Sequence, residues 1–267
     1  MAVITGASSG IGAEFARQLA PRHDLLLIAR RKDRLEQMAS EFSKTNGSSV
    51  EVYPADLTVA DELSSVAERI VGDQRLALLI NSAGFGLGGL FWERSVDIQE
   101  SMIRLHILAT MTLTHAALTN LVRRNTGAIV NVASISAWLR RPTFIGYAAT
   151  KSWMTAFSEG LYLDLRQMGA RTIIQALCPG LVYTEFHDKM NVDRKTFGAK
   201  NLWQTAEEVV TASLDGLRRG ELFVIPGWRY RTLIAVLSVL PTALRMELQR
   251  RIMRGRGDVL PPDKARI

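Results

Sequence analysis

Two hydrophobic patterns alternate along this chain of 267 residues. Short runs rich in Leu, Ile and Val are each followed by a longer stretch, such as IGAEFARQLA or DRLEQMASEF, whose apolar residues recur every three or four positions. The short runs are typical of buried strands, and the longer stretches are typical of amphipathic helices. The pattern predicts seven strands, at residues 2–5, 25–29, 50–55, 76–81, 127–134, 171–179 and 221–226.

This alternation predicts an α/β fold. Strands that alternate with helices form a parallel sheet with helices on both faces, joined by right-handed crossovers. We therefore expect one doubly wound domain of about seven parallel strands over residues 1–226, with residues 227–267 as a basic, partly amphipathic extension of the same domain. Ligands of such a fold bind beyond the carboxyl ends of the strands.

The composition limits the compartment and the chemistry. With 47% hydrophobic and 22% charged residues the chain is typical of a globular protein. The single cysteine, Cys178, excludes an internal disulfide and fits a reducing compartment, and no Cys or His spacing is typical of a metal site. The first residues have no signal-peptide pattern, and no apolar run is long enough for a membrane span. We therefore expect a cytoplasmic protein without a metal.

The net charge of +7 is concentrated at one end. Residues 227–267 contain nine Lys and Arg against three Asp and Glu, so this segment carries +6 and the rest of the chain only +1. A basic tail on a nearly neutral body argues against a nucleic-acid groove. It fits a local role instead: a membrane surface, an acidic partner or solubility.

A glycine-rich turn follows the first predicted strand and opens the first predicted helix. In TGASSGIG, Gly6, Gly10 and Gly12 allow a tight turn, close approach to a pyrophosphate and close packing of helix on strand. The unsatisfied N–H groups at the start of a helix also favour an anion. A glycine turn can serve a purely structural purpose, but its place between strand and helix favours dinucleotide binding.

The end of the second predicted strand indicates which dinucleotide is bound. NAD-binding sites usually have an acidic residue here to hold the ribose hydroxyls, whereas this chain has Arg30 and Arg31. A guanidinium suits a 2′-phosphate, which favours NADP(H) over NAD(H). For Arg31, a place at the solvated start of the next helix is nearly as good an explanation.

Three further residues suggest proton transfer to a carbonyl oxygen. In YAATK, Tyr147 and Lys151 lie four residues apart on one face of a predicted helix, and Ser134 ends a predicted strand thirteen residues before the tyrosine. An ammonium near a phenol favours the phenolate, so we expect Lys151 to lower the pKa of Tyr147. A tyrosine whose pKa is lowered in this way can act as a general acid and base.

Together these motifs resemble the short-chain dehydrogenase/reductase family. TGASSGIG, NSAG at 81–84, Ser134, YAATK and CPGLVYT at 178–184 occur in the family's order and spacing over roughly residues 1–226. The resemblance implies a Rossmann fold in which Tyr147 exchanges the proton, Ser134 polarises the carbonyl and Lys151 holds the nicotinamide ribose. With the two arginines, the expected cofactor contacts are Gly6, Ser8, Gly10, Ile11, Gly12, Arg30, Arg31, Asp56, Leu57, Asn81, Ala83, Tyr147, Lys151, Pro179, Gly180, Val182 and Thr184.

The chain departs from the family pattern at Ser82, where a second asparagine is usual, and at His106. The family carries an asparagine at about the latter position, in a proton relay behind the catalytic lysine. Imidazole can also donate or accept a hydrogen bond, so His106 is the fourth catalytic candidate. The other interpretation is a core histidine bonded to the backbone, and the sequence does not separate the two.

Substrate preference is expected to come from loops at 85–95, 136–146 and 185–204. Their aromatic residues suggest an apolar carbonyl or alcohol, such as a fatty-acyl, steroid-like or terpenoid compound. The candidate walls are Trp92, Trp138, Phe144, Phe186, Phe197 and Trp203. Beyond the last predicted strand, residues 227–267 form a basic segment that either covers the pocket or an interface, or lies on an anionic membrane surface.

The sequence therefore predicts an NADP(H)-dependent oxidoreductase that interconverts a carbonyl and an alcohol. The alternative is a non-catalytic NADP(H)-binding regulatory or scaffold protein, although retention of the serine, tyrosine and lysine favours the enzyme. The family resemblance further implies a homodimer or homotetramer built on two long helices, around residues 95–123 and 146–168.

Overall fold

A computed structural model describes residues 1–186 and 200–254 of the chain. Seven strands form one parallel sheet: β1 Ala2–Thr5, β2 Leu25–Ala29, β3 Val50–Pro54, β4 Leu78–Asn81, β5 Ala128–Val132, β6 Ile173–Leu177 and β9 Phe223–Val224. Two further short strands, β7 Leu181–Val182 and β8 Trp203–Gln204, pair with each other. The seven predicted strands are confirmed, and several are shorter than predicted because their ends turn into loops.

The strand order is β3-β2-β1-β4-β5-β6-β9, and every neighbouring pair is parallel. The chain moves outward from β1 to β3 and then returns to place β4 on the other side of β1. Adjacent loops therefore diverge at the carboxyl ends of β1 and β4, which opens a crevice there. The predicted doubly wound fold is confirmed.

Helices cover both faces of this sheet because every central strand is buried on both sides. The helices are α1 Gly10–Leu19, α2 Lys32–Asn46, α3 Ala60–Val71, α4 Val96–Ile103, α5 Ala109–Arg123, α6 Ile145–Gln167, α7 Ala206–Arg218, α8 Trp228–Val239 and α9 Thr242–Arg254. One core contains Phe15, Leu35 and Val209, from α1, α2 and α7. The opposite core contains Val66, Leu113 and Leu165, from α3, α5 and α6.

Between α4 and α5 the helix widens into a π-helical segment, Arg104–Leu108, in which Ala109 N–H bonds Arg104 O. Such single wide turns occur often at functional sites. The combined helix, Val96–Arg123, has 28 residues and, by length and composition alone, is apolar enough to cross a membrane, which the sequence pattern did not indicate. Half of its most apolar window is buried in this fold.

Helix α8 packs across the mouth of the crevice. Its Tyr230, Ile234 and Leu237 form a small apolar cluster with Ile135 and Leu139, which follow β5. From the next helix, Gln249 Nε2 donates a hydrogen bond to Trp138 O at 3.0 Å. Through these contacts the two last helices lie against the segment that follows β5.

Candidate active site

The glycine-rich turn joins β1 to α1 as predicted. Gly6 and Gly10 have φ angles of +66° and +58°, which side chains adopt only at a cost. A Cβ on Gly6 would lie 2.9 Å from Ala83 N, and one on Gly12 would lie 2.4 Å from Gly6 O. Gly6 and Gly12 therefore have no room for a side chain, and the turn keeps a close backbone approach at the start of α1.

A cavity of about 750 Å³ extends from this turn along the carboxyl ends of the strands. It brings together nearly all of the residues that the sequence singled out. The predicted residues that line it are Gly6, Ser8, Gly10, Ile11, Arg30, Arg31, Asp56, Leu57, Ala83, His106, Ser134, Tyr147, Lys151, Pro179, Gly180, Val182 and Thr184.

Two predicted cofactor contacts, Gly12 and Asn81, are not among the lining residues. Gly12 packs the first helix against the turn. Asn81 turns its side chain into the core, where Nδ2 donates to Thr114 Oγ1 at 3.0 Å and to Asn131 Oδ1 at 2.9 Å. Since Asn81 and Asn131 face each other on the paired strands β4 and β5, this bond ties the centre of the sheet together.

Tyr147, Ser134 and Lys151 come together at one wall of the cavity. Tyr147 lies in the first turn of α6, and Ser134 lies two residues after β5. Burial raises the pKa of the Tyr147 phenol to about 12, and a side-chain hydrogen bond with Ser134 acts in the opposite direction. Ser134 Oγ is itself held by the N–H of Ser136, at 3.1 Å.

The expected lowering of the Tyr147 pKa by Lys151 is therefore wrong for this structure. Lys151 Nζ donates to Val132 O at 2.7 Å and lies 5.7 Å from the centre of the tyrosine ring, over its face. Burial lowers the pKa of the Lys151 ammonium to about 7. Burial disfavours both charged forms, so at neutral pH the tyrosine keeps its proton and the lysine is only partly charged.

His106 is fully buried in the π-helical segment and contacts the same tyrosine. The hydroxyl of Thr150 donates its only hydrogen to Tyr147 O at 2.9 Å. Thr150 Oγ1 therefore has to accept from His106 Nδ1–H, also at 2.9 Å. The other ring nitrogen, Nε2, accepts from Phe85 N–H at 3.1 Å. His106 is thus a neutral imidazole that links the loop after β4 to helix α6.

This arrangement favours the core interpretation of His106. Burial, and then the charge of Lys151, lower the pKa of His106 well below its ordinary value. Both ring nitrogens already have partners, and neither partner is Lys151. The rings of His106 and Tyr147 meet edge to face at 5.9 Å, so the histidine contributes to the position of the tyrosine.

At the opposite end of the cavity, Arg30 and Arg31 follow β2. Arg30 is largely exposed and lies 3.4 Å from Asp56 Oδ2. Burial opposes ionisation of Asp56, but hydrogen bonds from Thr58 and the charge of Arg30 keep its pKa below the ordinary value. Arg31 does not extend into solvent: it bonds Ser8 and the carboxylate of Glu185.

The cavity lining also includes Tyr230 and Glu185, which the sequence did not single out. Tyr230 Oη donates to Leu202 O at 2.9 Å and accepts from Leu181 N–H at 3.2 Å, and its ring packs on Gly180. Glu185 directly follows the CPGLVYT motif, so reading one residue further would have included it. Tyr230 has no comparable motif and could be found only from the fold.

The predicted aromatic walls divide into three groups. Phe144 and Phe186 line the cavity. Trp138 and Trp203 are partly or wholly buried and pack on other aromatic rings, at 5.7 and 4.9 Å between ring centres. Trp92 is 73% exposed. Phe197 lies outside the described residues.

Comparison with known proteins agrees with the fold. A family model for short chain dehydrogenases matches residues 1–195. Human 17-beta-hydroxysteroid dehydrogenase type 3 is 30% identical over 246 residues, which are 86% of this chain and 76% of that protein. A solved short-chain dehydrogenase from Sphingobium yanoikuyae, in complex with NADPH, is 34% identical with a TM-score of 0.80, over 91% of this chain and 96% of that one.

A second solved structure, the bulky-bulky ketone specific alcohol dehydrogenase from Comamonas testosteroni, is 30% identical with a TM-score of 0.76. The match covers 91% of this chain and 95% of that one. The matched residues include the glycine-rich turn and the segment that carries Ser134, Tyr147 and Lys151. This chain therefore belongs to the short-chain dehydrogenase family.

Proposed function

We propose that this protein is an NADP(H)-dependent oxidoreductase that interconverts a carbonyl and an alcohol on an apolar substrate, with Tyr147 as the general acid and base. The observation that carries the proposal is the convergence of Ser134, Tyr147 and Lys151 on one wall of the cavity that begins at the glycine-rich turn. The non-catalytic alternative would need only the turn and the adenosine end.

The residues of this chain fit a dinucleotide. Gly6 and Gly10 leave the backbone bare at the N-terminus of α1, a ten-residue helix whose first N–H groups favour a pyrophosphate. Asp56 and Leu57 would lie beside the adenine, and Lys151 would hold the ribose of the nicotinamide. The cofactor supplies or accepts the hydride at the carbon atom of the substrate.

Tyr147 and Ser134 would handle the oxygen atom of the substrate. In reduction, the carbonyl carbon gains a hydride and the oxygen gains the phenolic proton, so the alcohol forms as the cofactor is oxidised. The raised pKa of Tyr147 keeps this proton in place at neutral pH. Ser134 would donate a hydrogen bond to the carbonyl oxygen and so polarise it.

The two arginines at the end of β2 support NADP(H) rather than NAD(H). A guanidinium offers no acceptor to a free ribose 2′-hydroxyl but binds a 2′-phosphate with a charge-assisted hydrogen bond. Arg30 is 73% exposed in its side chain and lines the cavity, so it can turn toward such a phosphate.

The substrate end supports an apolar compound. Its walls are mostly hydrocarbon and aromatic: Phe85, Ile98, Leu105, Leu139, Phe144 and Phe186. The names of two relatives, a hydroxysteroid dehydrogenase and a dehydrogenase for bulky ketones, agree with this class of substrate.

The test is oxidation of NADPH and NADH against hydroxysteroid ketones, bulky aryl ketones and 3-oxoacyl thioesters. Tyr147→Phe should lower kcat by about a hundredfold or more, since general acid catalysis contributes roughly that much. Tyr162→Phe, on the same helix but outside the cavity lining, is the matched control and should leave kcat unchanged. Activity that survives Tyr147→Phe would overturn the mechanism, and faster turnover with NADH would overturn the arginine argument.

We also propose a homodimer or homotetramer built on α4 to α6. Apolar side chains stay exposed on these helices, including Val96 at 74%, Met111 at 43% and Leu163 at 59%. Exposed apolar residues grouped on neighbouring helices are typical of subunit interfaces. Light scattering should therefore give a multiple of the chain mass, and Leu163→Asp should reduce it to that of one chain.

A membrane-surface role is proposed for the outer face of α8. Its inner face packs on the cavity, whereas Trp228 and Val239 are 63% and 81% exposed, with Arg229 and Arg231 beside them. Exposed apolar side chains on a helix that also carries arginines fit the headgroup region of an anionic bilayer. Single substitutions on this outer face test the membrane role, because they leave Tyr230 on the inner face of α8 in place.

A further inference from the structure

Glu185 forms ion pairs across the mouth of the cofactor crevice. It lies one residue after Thr184, on the side of the cavity where the β6 to β7 segment runs. Its carboxylate accepts hydrogen bonds from Arg31 Nη1, at 2.9 Å, and from Arg34 Nη1. These arginines precede it by 154 and 151 positions, so the pairs join distant parts of the chain.

Arg31 links this carboxylate to the glycine-rich turn. Its Nε donates to Ser8 Oγ at 3.1 Å, and its Nη2 donates to Ser8 O at 3.3 Å. Ser8, Arg31 and Glu185 all line the cavity. The guanidinium that the sequence assigned to a 2′-phosphate is therefore already bonded to an acidic side chain of the same protein.

The other arginine at the end of β2 is also next to a carboxylate. Arg30 lies 3.4 Å from Asp56, which is longer than the 2.9 Å that separates Arg31 from Glu185.

Hydrogen bonds from Arg34 and then from Arg31 lower the pKa of Glu185 to about 2, so it is a full anion at working pH. Its side chain is 38% exposed, and an ion pair this open to water is weak enough for a phosphate to displace.

We propose that Glu185 is a specificity-determining residue that competes with the 2′-phosphate of NADP(H) for Arg31. The inference rests on the proposed function, because it takes the 2′-phosphate to bind at Arg31. Glu185 limits the preference for the phosphorylated cofactor in two ways: it occupies the guanidinium of Arg31, and it places a like charge beside the phosphate.

The test uses two fragments that differ only in the phosphate, adenosine 2′,5′-bisphosphate and 5′-AMP. Calorimetric titration would compare the wild-type protein with Glu185→Gln and Glu185→Ala. Both variants should bind the bisphosphate about five- to tenfold more tightly and bind 5′-AMP within twofold of the wild type, as expected for loss of one competing charge. Glu36→Gln, an exposed acid paired with Lys32 on α2, is the matched control and should change neither affinity.

The outcomes separate this inference from the proposed cofactor. If the wild type prefers the bisphosphate but both Glu185 variants leave that preference unchanged or weaken it, only the role of Glu185 is refuted. If neither the wild type nor the variants prefer the bisphosphate, the assignment of NADP(H) fails and the competition fails with it. A circular dichroism spectrum of each variant confirms that it is folded.

Discussion

Replacement of Lys151 by methionine should stabilise the free protein most at neutral pH and progressively less at alkaline pH. Burial lowers the pKa of this ammonium from 10.5 to about 7. Between those two pH values the unfolded chain binds more protons than the folded chain, so the free energy of unfolding rises with pH. The destabilisation caused by Lys151 is fully present below pH 7 and is lost as the pH approaches 10.5.

The magnitude follows from the two pKa values. The destabilisation by Lys151 is on the order of 4 kcal/mol at pH 7 and falls to about 2 kcal/mol at pH 9. Lys151→Met removes this contribution at every pH, while the loss of the hydrogen bond to Val132 O costs about 1 kcal/mol that does not depend on pH. The difference in unfolding free energy between variant and wild type should therefore shrink by about 2 kcal/mol from pH 7 to pH 9.

Urea denaturation at pH 7, 8 and 9 and constant ionic strength, without cofactor, measures this difference. Lys32→Met is the control, because it makes the same substitution at a lysine whose side chain is 63% exposed. Cys178, whose pKa is raised by burial, is present in all three proteins, so its own pH dependence largely cancels in the comparison. A difference that stays constant from pH 7 to 9 would refute the argument, since Lys151 would then keep its ordinary pKa in the fold.

Three further substitutions test other parts of the site. His106→Asn should lower the unfolding free energy by about 2 to 3 kcal/mol, because it leaves a cavity and breaks a hydrogen bond. The pH profile of kcat/KM should not move in this variant, because the imidazole of the wild type is neutral throughout. Gly180→Ala should lower the Tm by about 5 °C and weaken NADPH binding, because its Cβ would lie 2.1 Å from the ring of Tyr230. Val239→Ser should reduce cosedimentation with anionic phosphatidylserine vesicles severalfold at an unchanged Tm, because this side chain is 81% exposed.

Each of these has an outcome that contradicts it. A shift in the pH profile of His106→Asn would restore the relay interpretation. For Gly180→Ala the comparison is Gly160→Ala in α6, where a Cβ would meet no atom within 4 Å and the Tm should rise slightly. Wild-type protein that does not sediment with the vesicles would end the membrane proposal.

The sequence was sufficient for the architecture and for most of the cavity. Hydrophobic runs fix which segments are strands, and strand-helix alternation with right-handed crossovers leaves few ways to arrange them. Gly6, Ser134 and Tyr147 therefore lie at the same edge of the sheet, because all three follow strands whose carboxyl ends point the same way. Helix α7, of 13 residues, was not predicted, although its capping box, Thr205 with Glu208, is present in the sequence.

The environment of each side chain could not be found this way. The pKa of Tyr147 moved in the opposite direction from the prediction because burial, which no local pattern reports, outweighs the effect expected from Lys151. Asn81 was assigned to the cofactor on its motif alone, and only the register of β4 against β5 shows that its amide faces Asn131.

By itself, then, the sequence determined the sheet, the glycine-rich turn and the set of residues that face the crevice, since these depend on periodicity and on short motifs with fixed local geometry. The tertiary structure decided the protonation state of His106, the cover that Tyr230 provides and the pairing of Glu185 with Arg31. The physical reason is distance along the chain. Each of these depends on burial or on a partner from 21 to 154 residues away, and only folding brings such groups within hydrogen-bonding distance.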